Sequence, residues 1–145
     1  MAGAQLIEVT IGTESVERAL RELAERGQNM RPVLGDIGEH LLQSTEDRFR
    51  RQVDPEGNPW RPLSLNYRTT KPRNKDKILT LDGHLRRTLR YNVRGSELTV
   101  GTDRVYGAVH QFGFEDIPAR PYLGISDDDT SELVMILADW LTGEG

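Results

Sequence analysis

Cysteine is absent from the 145-residue chain. Without it there can be no disulfide, no thiolate metal site and no cysteine nucleophile. Long apolar runs are missing too: nothing approaches the roughly 20 consecutive apolar residues that span a bilayer as a helix. The opening MAGAQLIEV has neither a basic segment nor an apolar core, so it does not read as a signal peptide. A soluble protein without membrane contact is expected. Histidine is scarce, at His40, His84 and His110. None is followed at i+3 or i+4 by a His, Asp or Glu, the spacing that puts two metal ligands on one helix face. There is no Walker or Rossmann phosphate loop and no G-x-S-x-G elbow. The run Asp127–Asp129 lacks the alternating acids and glycine of a calcium loop and reads as the acidic start of a helix. No cofactor or metal is expected.

Charge is present but unevenly spread. The net value is -4. Between Thr45 and Arg94 there are thirteen Lys/Arg against six Asp/Glu, and from Phe114 onward one Arg against eight Asp/Glu. Such opposition within one small chain fits head-to-tail or ring-like self-association. It fits equally a chain whose own halves pair. The length suits a single domain over residues 1–145.

Periodicity gives the order of elements. Gln5–Ile11 alternates and reads as a strand. Val16, Leu20 and Leu23 repeat at helical spacing, with Thr13 or Ser15 as cap and Gly27 as stop. A second helix starts near Pro32 and carries Val33, Ile37, Leu41, Ser44 and Arg48 on one face, with Leu34, Leu42 and Phe49 beside it. Gly35 and Gly38 lie one turn apart on it and suit close approach by another backbone. Asp82 starts a short helix carrying Leu85 and Leu89. Tyr91–Val100 reads as a hairpin turning at Gly95-Ser96, and Arg104–Gly113 as a short helical turn. A short extended segment leads to a last helix with Leu133, Ile136, Leu137, Trp140 and Leu141 inward, ended by Gly143. This is an α+β pattern: a small, mainly antiparallel sheet packed by two to three long helices.

Residues 54–77 fit no regular element. So long a loop in a compact domain is generally functional or disordered. Trp60, set between Pro59 and Pro62, is its expected anchor, with the protein's own core as the destination. The tip carries Arg68, Lys71, Arg73, Lys75 and Lys77, expected as a charged interface loop. These cations would attract phosphates, so a small nucleic-acid-binding accessory protein using residues 67–77 is an alternative. Against it, Tyr67 is the only aromatic residue there and the whole chain is acidic.

Four segments form an ordered set: DPEGNPWRPLS (54–64), ILTLDGHLRRTL (78–89), VGTDRVYGAVHQFG (100–113) and IPARPYLGIS (117–126). In this order and spacing they resemble the phage virion morphogenesis family, the tail-completion proteins of tailed phages and Mu-like prophages. The likeness runs from about Phe49 to Leu141. Asp82 departs from the Thr or Ser usual there, and Gly107 from Ala. The resemblance implies a structural, non-enzymatic virion protein that resides in host cytoplasm during assembly. It implies tail completion or head–tail joining by a homo-oligomeric ring at the end of the tail tube, commonly a hexamer. The implied partners are further copies, the tail tube and the neck or head-completion proteins, with genome DNA passing through without specific binding. It makes Trp60, Leu63, Tyr106, His110, Gln111, Phe112, Arg120 and Pro121 signature residues. In that reading His110-Gln111 hydrogen-bonds the backbone at the corner before IPARP, Tyr106 and Phe112 pack beneath, and Arg120 braces the turn. The corner could lie within one subunit or between two. The charged loop is expected to meet an acidic surface on a neighbouring subunit or neck protein.

Overall fold

The computed structural model describes residues 14–61, 87–95, 97–102, 111–112 and 119–143. They form helices α1 (Glu14–Glu25), α2 (Met30–Arg51) and α3 (Asp127–Leu141), with strands β1 (Arg90–Arg94) and β2 (Glu97–Gly101). The architecture is α+β. The expected strand at Gln5–Ile11 lies outside the described residues, as do Asp82, Leu85 and most of Arg104–Gly113.

Each helix has a local cause. In α1, Val16 and Leu23 turn inward while Glu14–Arg18 and Glu22–Arg26 pair at 2.7 Å across exposed turns. Exposed pairs of this kind contribute only a few tenths of a kcal/mol. Ser15 lies inside α1 and does not cap it, and Gly27, at φ 82°, ends it. Asn29 caps α2 through its side chain. Ser126 and Asp129 form a reciprocal capping box on α3, and Gly143, at φ 83°, follows its end.

The three helices share one core. Val16 and Leu23 of α1, Val33, Ile37 and Leu41 of α2, and Leu133 and Leu137 of α3 are buried together. The hairpin closes it with Val93, Leu98 and Val100. Register is set by alternation: Val93 faces Leu98 and Tyr91 faces Val100. The close approach at Gly38 is made by a side chain, not a backbone. A Cβ there would lie 2.5 Å from the Tyr91 ring, whereas one at Gly35 would meet nothing within 4 Å.

The stretch after α2 is more regular than its prolines and glycine suggest. Gln52 takes a left-handed conformation at φ 57° and ends the helix. Asp54 Oδ1 accepts from the amides of Glu56 and Asn58 at 3.0 and 2.9 Å. Val53 and Pro59 form a bridge, and the Trp60 amide returns to the Gln52 carbonyl at 2.8 Å. This closed turn sends Trp60 back against the end of α2, where it meets Phe49 edge-on at 5.5 Å. Phe49, Trp60, Leu89, Tyr122 and Leu123 form a second core cluster.

Candidate functional site

Residues 120–123 adopt neither helix nor strand, yet Tyr122 and Leu123 are buried. A buried peptide group left unpaired costs about 1–3 kcal/mol, so partners must come from elsewhere. Side chains supply them. Gln111 Oε1 accepts from the amides of Tyr122 and Leu123, both at 3.0 Å, and its Nε2 donates to the Leu123 carbonyl at 3.0 Å. Trp60 Nε1 donates to the Pro121 carbonyl at 2.6 Å. Arg48 Nη1 donates to the Tyr122 carbonyl at 2.8 Å. Arg120 runs the opposite way, its Nε donating to the Arg61 carbonyl at 2.8 Å. Burial draws the Arg120 guanidinium below its ordinary pKa, and neighbouring Arg61 adds to this. Gly124 completes the joint, because a Cβ there would lie 2.6 Å from the Pro55 ring.

The fold therefore brings Trp60, Gln111, Arg120 and Pro121 together. It does not bury Phe112, which is 67% exposed. Successive helical residues point about 100° apart, so turning Gln111 inward turns Phe112 outward. Among the described residues Gln111 holds the backbone after IPARP, at Tyr122 and Leu123, while the corner before IPARP lies outside the described residues. The joint built by Trp60 and Gln111 lies within one chain. Leu63, Tyr106, His110, Arg68, Lys71, Arg73, Lys75 and Lys77 lie outside the described residues.

A buried ionic hub adjoins this joint, and its members were not singled out as a group in the sequence. Asp129 accepts a short hydrogen bond from Arg48 Nη2, and another from the Ser126 amide at 3.0 Å. Its other oxygen faces His40 Nε2 at 2.9 Å. Arg48 also donates to Ser44 Oγ at 3.1 Å. Burial pushes the Asp129 carboxyl up, but the Ser126 amide, the Ser44 hydroxyl, Arg48 and His40 outweigh it and hold the pKa below the ordinary carboxylate value. Burial lowers the Arg48 pKa, and Asp129 opposes that. In a nucleophilic relay the imidazole stands between carboxylate and hydroxyl. Here the carboxylate is the centre and accepts from Arg48, His40 and the Ser126 amide, an arrangement that fixes α3 to α2. A signal existed: Arg48 sits on the apolar face of α2, and a cation there needs a buried carboxylate.

Beside the hub opens a cleft of about 590 Å³, lined by His40, Asp47, Arg51, Glu56, Asp128 and Glu132 among others. Among the described residues no group of three or more His, Cys, Asp or Glu is placed to hold a metal ion. No described helix is long and apolar enough to cross a membrane.

Comparison with known proteins places these segments in context. The model of the phage virion morphogenesis family matches residues 11–142. The chain is 30% identical over 137 residues to "Putative capsid assembly protein G" of Escherichia phage Mu, covering 86% of this chain and 87% of that protein. It is 28% identical over 135 residues to "Mu-like prophage FluMu G protein 1" of Haemophilus influenzae, covering 90% and 92%. It is also 28% identical over 96 residues to "Uncharacterized protein MJ0331" of Methanocaldococcus jannaschii, covering 61% and 71%. No solved structure matches it.

Proposed function

The chain belongs to the phage virion morphogenesis family and has a structural role in phage assembly, and from that premise we propose that it completes the tail and joins it to the head. In this reading copies of the chain form a closed ring, a hexamer, at the end of the tail tube. They contact the tube on one side and neck or head-completion proteins on the other, and the genome passes through without specific binding. The protein acts by docking.

The observation that carries this reading is the use of the family's motif residues. Trp60, Gln111, Arg120 and Gly124 all serve the internal joint. They hold two distant parts of the chain in fixed register, as a part that must present rigid surfaces to neighbours requires. The name of the phage Mu relative speaks of capsid assembly, so the test separates the head side from the tail side. A phage carrying a nonsense codon in this gene is grown without suppression and its particles are imaged. Accumulation of DNA-filled heads beside free tails is expected, with joining restored by the supplied protein. Malformed or empty shells beside no finished tails would overturn the tail-end reading.

A further inference from the structure

We propose that the outward face of α3 is a docking surface for a second copy of this chain, which presents its cationic Arg68–Lys77 segment to it. The inference rests on the reading of the protein as an oligomer and names the surface through which one copy takes the next.

The starting point is an asymmetry between the helices. On α1 and α2 several acids pair with a base three or four residues away: Glu14 with Arg18, Glu22 with Arg26, and Asp47 with Arg50 and Arg51, although the exposed Asp36 and Glu39 of α2 have no Lys or Arg at that spacing. On α3 no Lys or Arg occurs at all. Asp129 is neutralised internally by Arg48. Asp127, Asp128, Glu132 and Asp139 are exposed, and among the described residues none of them forms an ion pair.

The same face is apolar at its middle. Val134 and Met135 are 40% and 61% exposed, and Ala138 follows one turn on. Glu132 and Asp139 stand at i−3 and i+4 from Met135 and so flank it on the helix surface. Exposed aliphatic groups rimmed by unpaired carboxylates match one kind of partner best. Lysine and arginine lay their methylene stems on apolar surface while their charged heads reach outward. The chain has such a segment: Arg68–Lys77 carries Arg68, Lys71, Arg73, Lys75 and Lys77 against a single acid, Asp76. Supplied by the next copy, it gives a heterologous contact, the kind that closes into a ring. Its charge component weakens with salt.

The test uses the full-length chain and its mass distribution by sedimentation at low and high salt. Glu132→Lys with Asp139→Lys changes only exposed positions, and Lys71→Glu, Arg73→Glu and Lys75→Glu reverse the other partner. Each set alone should weaken association by about tenfold or more. Mixing the two variants should restore it, because the basic α3 of one then meets the acidic segment of the other. Met135→Lys, which leaves the acids in place, should also weaken association. Unchanged association in the reversed variants, loss without restoration on mixing, or a wild-type chain that stays monomeric would overturn the proposal. Particle assembly reports separately on the proposed function: heads and tails joined normally by the Glu132→Lys, Asp139→Lys protein would sink this surface and leave the tail-joining role standing.

Discussion

A Cβ added at Gly38 would lie 2.5 and 2.7 Å from two atoms of the Tyr91 ring and 3.0 Å from Leu98. The ring cannot simply swing away. Its strand is fixed by pairing with β2, where Tyr91 faces Val100. Gly38→Ala should therefore lower stability by about 1–3 kcal/mol, the usual cost of overpacking, after offsetting what alanine gains in a helix. At Gly35 nothing lies within 4 Å of the added methyl. Gly35→Ala should instead stabilise α2 by up to about 1 kcal/mol, the propensity difference alone. Urea titration of both variants gives the signs, and equal shifts in one direction would refute the contact. The sequence shows two glycines one turn apart on a helix. Which of them faces a neighbour depends on where the hairpin docks, and that is not written in α2.

Elements divided sharply in how legible they were. α1, α2, α3 and the hairpin each carry their own periodicity, caps and stops, so local rules located them. The segment 120–123 has no such rule, because among the described residues its backbone takes its partners from side chains at least eleven residues away. Resemblance flagged Trp60, Gln111 and Arg120, but only the fold shows that they converge there. The outward turn of Phe112 follows from Gln111 pointing inward and could not be read from composition. Gln111→Ala would leave the Tyr122 and Leu123 amides and the Leu123 carbonyl without this partner. At about 1 kcal/mol or more for each orphaned group, the loss should reach about 3 kcal/mol. Trp60→Phe keeps an aromatic ring near Phe49 but orphans the Pro121 carbonyl, and should cost about 1–3 kcal/mol. Thermal melts of the two variants test the ranking. A Gln111→Ala protein as stable as wild type would show that the joint is held by packing alone.

At the scale of the whole molecule, the Arg48–Asp129 pair ties α2 to a helix 81 residues further along and adjoins both core clusters. The acidic run that opens the last helix was legible as a dipole-matching helix start. The structure adds the capping box of Ser126 and Asp129 to that start; the second role of Asp129 stayed concealed because one explanation already accounted for the acids. Removing one partner of a buried ion pair strands the other, at about 3–5 kcal/mol. Asp129→Asn should therefore destabilise strongly near neutral pH. The sign of the pH dependence follows from the lowered carboxyl pKa in the folded state. In the unfolded chain the carboxyl returns to about 3.9, so folding releases its proton more readily. The contribution is complete above that value and disappears as pH falls through the lower folded value. Wild type should lose stability steeply below about pH 4, while Asp129→Asn, with no proton to gain there, should have a shallower acid limb. The two stability curves should approach each other in acid and stand furthest apart near neutrality. Parallel curves across that window would mean that the hub is not what joins the two ends of the fold.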